Sequence, residues 1–224
     1  MRGLIDRDRD LLKHGTVHGW MVQNTATVRM RGATMTQQQE AFANAQEYFG
    51  HAEQNVDDAD RFRDYWSALN ALYDSGRWTG SELAKARSCV AALTDDEATR
   101  TEVLALPEVL WLGKREAVWE PSWGEMPASL RGVCGVLKRH PGGDPEKTSV
   151  ATIDTQALDD TLSGGGDITS VRDDLVEVIY AVRNNLFHGN KAIYRHDNIE
   201  VIGKAVVPLR RIVELAMAGV AGSR

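Results

Sequence analysis

The chain has only two cysteines, Cys89 and Cys134, and six prolines among its 224 residues. Two lone thiols with no Cys-x-x-Cys or Cys/His spacing exclude a zinc module and a disulfide framework, and reduced thiols in a cytosolic protein are the simplest reading. Long apolar runs are missing too, because none approaches the ~18 residues that a membrane span needs. The opening stretch MRGLIDRDRDLLKHGTVHGW lacks the apolar core of a secretory signal, so cytoplasmic residence without a membrane is the expectation. There is no Walker loop, no dinucleotide glycine fingerprint, no HExxH and no GxSxG. No cofactor is expected. His14 and His18 stand four apart, a spacing that can hold zinc on one helix face, but no third ligand accompanies them and no metal is expected.

Excess positive charge is absent as well. A net charge of −6 argues against a protein that coats nucleic acid by charge alone. The distribution is more informative than the sum. Residues 36–75 hold eight acids against Arg61 and Arg63, whereas residues 183–211 hold six bases against Asp197 and Glu200. A locally basic late segment could receive a polyanion, and scattered solvated side chains would account for the same charges.

What is present is helical periodicity. Residues 1–34 mix Arg, Gly and Thr without a sustained period, so they read as a poorly ordered extension, with Met35 a candidate start. Residues 35–224 read as a single domain. Thr36 can cap the helix QQQEAFANAQEYFGHAEQ, with Gln39 at the reach-back position of a capping box. Next, Phe62, Trp66, Leu69 and Tyr73 fall on one helical face after an Asp57 or Asp58 cap, and Ser75-Gly76 stops the helix. Residues 79–112 read as one or two helices broken at Thr94-Asp95 and Pro107. EAVWEPSWGEMPASLRGVCGVLKRH reads as a loop with a short helix, and SVATIDTQALDD as a small strand or a helical turn.

Two helices close the chain. Asp167 or Thr169 can cap the first, which carries a stripe of Val171, Leu175, Val178 and Val182, widened by Ile179 and Leu186, and ends at Gly189. The last runs from about His196 and carries Pro208, an expected kink. The class is therefore all-α: an up-and-down bundle of four to five main helices with short accessory helices and loops.

The first of these closing helices ends in AVRNNLFHGNK, where polar residues replace the apolar stripe. Asn184 and His188 are four apart and share a face, while Arg183 lies about 140° around an ideal helix from His188. Its long side chain can still reach that end if the helix frays or tightens. Arginine brings a permanent charge with a fork suited to phosphate oxygens, histidine exchanges a proton near neutrality, and asparagine can orient either. That is a minimal kit for cleaving a phosphodiester with its own 2′-hydroxyl as nucleophile. An Arg and a His at a helix C-terminus also complement the helix dipole, for about 0.3–1 kcal/mol each. Around them, Lys191 and Arg195 could track phosphates or be solvated surface, and Asn185 and Asn70 are weaker substrate-binding candidates. Asn70 would serve equally as a helix–helix hydrogen bond beside Trp66.

The unit VRNNLFHG, with its Arg-x4-His spacing, resembles the signature of the HEPN superfamily (higher eukaryotes and prokaryotes nucleotide-binding domains). RFRDYWSALNALYDSG resembles the aromatic, Asn-containing helix of HEPN domains in bacterial defence and abortive-infection proteins. The resemblance covers roughly residues 36–220 and implies a helical bundle that dimerises, two copies of the motif forming one composite site. It further implies metal-independent RNA cleavage leaving 2′,3′-cyclic phosphate ends, in antiviral defence or as a toxin with an antitoxin or sensor partner. Arg183 and His188 would then be catalytic and Asn184 supporting. The acidic helices and negative net charge depart from a tight RNA binder. The alternative is a non-catalytic HEPN-like module that binds a nucleotide or a partner protein.

Overall fold

The computed structural model describes residues 36–118, 125–138, 148–188 and 196–222, with the backbone alone at 188 and 196–198. Residues 1–34, expected to be poorly ordered, and the His14/His18 pair lie outside the described residues. All the elements belong to the compact unit Met35–Arg224.

Local signals set the helix starts. Helix α1 (Gln37–Gln54) opens with a complete capping box, Thr36 and Gln39 each accepting from the other's backbone N–H. Helix α2 (Asp58–Tyr73) is capped by Asp57, whose carboxylate accepts from the N–H groups of Ala59 and Asp60. Ser81 caps α3 (Glu82–Leu93), and Asp95 caps a short α4 (Asp96–Ala98) that widens into a π-helical turn over Thr99–Leu104. Pro107 occupies the first turn of α5 (Pro107–Lys114), where its missing N–H costs nothing. The breaks at Thr94-Asp95 and Pro107 are thus those expected, though they divide the segment into more helices than two.

One correction concerns the middle of the chain. Val136–Lys138 (β1), read as loop, pairs antiparallel with Ser149–Ala151 (β2) in the register Val136↔Ala151. Three-residue strands are too short to show alternation. Gly135 makes the pairing possible: its φ is +131°, and a Cβ there would lie 2.1 Å from the Ala151 carbonyl oxygen. Immediately after β2 the backbone turns at Asp154 into α6 (Thr155–Leu162), so both open readings of SVATIDTQALDD are realised in succession.

Asp167, not Thr169, caps α7 (Ile168–His188), accepting from Thr169 N–H at 3.0 Å. The expected stop, Gly189, lies outside the described residues. Helix α8 (His196–Gly222) continues unbroken through Pro208. The long helices α1, α2, α3, α7 and α8 enclose one core, in which α2 pairs with α1 and α8, and α3 with α7 and α8. The α2 face read from the sequence is buried throughout, as is the α7 stripe, Leu186 included. Each large side chain so buried contributes about 1.5–3 kcal/mol, which is why these faces, rather than intrinsic propensity, hold the helices. Among the described residues the fold is all-α apart from this small hairpin and an isolated bridge between Glu116 and Cys134. Among the described residues no helix is long and apolar enough to cross a membrane.

Candidate functional site

Helix α7 brings the polar motif to its C-terminal end, and its continuity fixes the angles. Because the helix runs without a break to His188, the backbone keeps Arg183 and His188 on different faces, about 140° apart, and Asn184 on the His188 face. The His188 side chain lies outside the described residues, as do Lys191 and Arg195.

Arg183 does not project into solvent. Its side chain is 15% exposed, and one terminal nitrogen lies 3.0 Å from Glu82 Oε1. The other donates to Asn184 Oδ1 at 2.9 Å. The guanidinium carbon lies 4.9 Å from the ring centre of Phe187 and 5.9 Å from those of Trp66 and Tyr180. Such ring contacts attract the cation electrostatically. Phe187 is one of the few large apolar side chains on the surface, 43% exposed.

Glu82 organises the group from the first turn of α3, where the helix dipole favours an anion. Besides Arg183 it accepts from the Tyr73 hydroxyl at 3.0 Å on Oε1 and from the Tyr180 hydroxyl at 3.2 Å on Oε2. Tyr73 is fully buried, and burial followed by the Glu82 charge pushes its phenol far above the ordinary range. Burial likewise raises Tyr180, with Glu82 adding to the effect and Asn184 and Arg183 opposing it. Trp66, 2% exposed, packs against both tyrosines, with ring centres 6.2 Å from Tyr73 and 5.8 Å from Tyr180. Among the described residues, the buried Nε1 of Trp66 and Nε of Arg183 have no hydrogen-bond partner.

The other candidates are separate from this group. Asn185 turns to the hairpin and donates from Nδ2 to the Leu137 carbonyl at 2.8 Å. About two turns back, Glu177 holds Arg87 and Lys138 at 2.5 Å each, so β1 is tied to α7 at two places. Asn70 is half-buried and makes no side-chain hydrogen bond among the described residues. The structure thus joins Arg183 and Asn184 to Glu82, Tyr73, Tyr180, Trp66 and Phe187, none of which the sequence reading had marked as a site residue. Tyr180 and Phe187 did carry a signal, standing at i−3 and i+4 from Arg183. Glu82 carried none, since an acid in a first helical turn is ordinary.

Comparison of the chain with family models, with curated proteins and with solved structures gives no match.

Proposed function

We propose that the chain is a metal-independent endoribonuclease of the HEPN type that acts as a homodimer in antiviral defence or as a toxin. In this reading the substrate's 2′-oxygen attacks the adjacent phosphorus while His188 removes the 2′-hydroxyl proton. The 5′-oxygen leaves and takes up a proton, giving a 2′,3′-cyclic phosphate and a 5′-hydroxyl. Arg183 stabilises charge on the phosphorane-like transition state, and Asn184 positions it. The observation that carries the reading is the fixed guanidinium of Arg183 near the end of α7, bonded to Asn184 at 2.9 Å and gripped by Glu82 at 3.0 Å. A preorganised cation can stabilise an anionic transition state, and this reading leaves proton transfer to His188, five residues further along α7.

A second reading rests on the same ion pair. Glu82 neutralises Arg183, and the guanidinium side chain is 15% exposed, which favours a non-catalytic module that binds a nucleotide or a partner protein such as an antitoxin or sensor. Purified protein incubated with mixed tRNA and messenger RNA in EDTA, beside a His188→Ala variant of equal oligomeric state, separates the two. Cleavage by the wild type alone, with cyclic-phosphate ends, is the expected outcome. A dimeric wild type that leaves the RNA intact favours the module, and equal cleavage by both proteins removes His188 from the reaction.

A further inference from the structure

Phe187 is the one residue of the Arg183 group that is both large and open. A singly exposed phenylalanine is ordinary by itself, and what sets this one apart is the cation it packs against. Here the ring is not loose: its centre lies 4.9 Å from the Arg183 guanidinium, and Arg183 is anchored in turn by Glu82 and Asn184. One face of the ring is therefore held against a cation while the 43% exposure leaves room on the remainder. A flat π surface immobilised in advance costs little further side-chain entropy when something stacks on it.

We infer that Phe187 is a base-stacking platform, taking a nucleobase of single-stranded RNA on its open face while the neighbouring phosphate lies toward Arg183. The inference rests on the ribonuclease reading and adds to it a residue that binds the substrate. A stacked base must be out of a duplex, so the site takes single strands, and because every base has a π face the contact carries little sequence preference. It also offsets the poor overall charge. A chain with net charge −6 gains little from nonspecific attraction to phosphates, whereas aromatic stacking does not depend on net charge. Base–aromatic contacts of about 1–3 kcal/mol correspond to roughly 5- to 150-fold in affinity.

The test uses a labelled single-stranded RNA, 2′-O-methylated so that the nucleophile is blocked, and reads binding to the full chain by anisotropy. A companion set carries 2-aminopurine or an abasic nucleotide at successive positions. Phe187→Trp should bind at least as well as the wild type, and Phe187→Leu, which keeps an apolar side chain, should bind roughly 5- to 150-fold more weakly. One 2-aminopurine position should be quenched on binding to the wild type and not to the Phe187→Leu variant, and the abasic substitution at that position should weaken the wild type alone. Equal affinity of the wild type and Phe187→Leu, with no position-specific quenching, overturns the platform and leaves the ribonuclease reading standing. A wild type that binds no single-stranded RNA overturns both.

Discussion

The Glu82 carboxylate, at the start of α3, lies 3.0 Å from a terminal nitrogen of Arg183, near the end of α7, and accepts hydrogen bonds from the Tyr73 and Tyr180 hydroxyls as well. One acid thus joins three helices at the candidate site. Removing one partner of a partly buried pair leaves the other charge less compensated, which can cost more than the pair itself contributes. Glu82→Ala should therefore destabilise the fold by about 2–4 kcal/mol, read as a lower urea midpoint at pH 7. A double-mutant cycle with Arg183→Met should give a coupling of about 1 kcal/mol or more. A coupling near zero would mean that the two side chains are neighbours without consequence.

Arg183→Lys tests what the arginine does rather than whether the site folds. An ammonium on a flexible stem cannot present the planar fork that reaches Glu82 and Asn184 together. The helical signal should survive, while on the proposed ribonuclease reading RNA cleavage in EDTA should fall by about 100-fold or more, the usual cost of losing one transition-state donor. Initial rates at equal protein concentration measure this, and a variant retaining a third of the rate would mean that a point charge serves there as well as the planar fork.

The long helices were legible in the sequence because their signals are local and repeated. Thr36 and Gln39 form the expected capping box, and Phe62, Trp66, Leu69 and Tyr73 face the core as their spacing implies. Of the hairpin only β2 was legible, as one of two open readings; β1 was not, since its pairing depends on the close approach of Gly135 to Ala151 rather than on any period in the chain. Within the site the distinction is similar. Arg183 and Asn184 stood out because they interrupt an apolar stripe, and their contact spans a single peptide bond. Glu82 meets them only through the packing of α3 on α7, which no spacing along the sequence encodes.

The tyrosines around Glu82 should resist ionisation. Burial, and then the adjacent carboxylate, hold the Tyr73 phenol well above its ordinary value of 10.0. A raised folded value contributes stability that is fully present below pH 10 and lost as the pH climbs beyond it. Absorbance at 295 nm should show Tyr73 silent up to pH 11, ionising only with unfolding. Tyr73→Phe should be less stable than the wild type at pH 8 by about 1 kcal/mol, and the gap should narrow above pH 10. A phenol count at pH 11 unchanged by Tyr73→Phe agrees with this, whereas a drop of one phenol contradicts it.

Glu177 gives the opposite pH response. Burial pushes its carboxyl up, but Lys138 and Arg87, each at 2.5 Å, outweigh that and hold it below its ordinary 4.5. The resulting stability is present above pH 4.5 and is lost as the pH falls through the lowered folded value. Glu177→Gln should cost about 1–3 kcal/mol at neutral pH and less at an acid pH below 4.5, where the stability from the lowered carboxyl is being lost. Urea titrations of both proteins at the two pH values decide this, and a gap undiminished in acid would point to shape rather than charge.

The last expectation concerns how closely α8 passes α3. A Cβ on Gly219 would lie 2.0 Å from the Leu93 carbonyl oxygen and 3.3 Å from its Cα. Both are main-chain atoms, so no side-chain rotation relieves the clash, and α8 must shift. Alanine is the better helix former by about 1 kcal/mol, but the overlap should win, and Gly219→Ala should lose about 1–3 kcal/mol. Gly50 in α1 is the control: it is helical, and a Cβ there meets nothing within 4 Å. Gly50→Ala should gain about 0.5–1 kcal/mol. Thermal melts of the two variants should therefore move in opposite directions, and a rise for both would mean that α3 and α8 are not in such close contact.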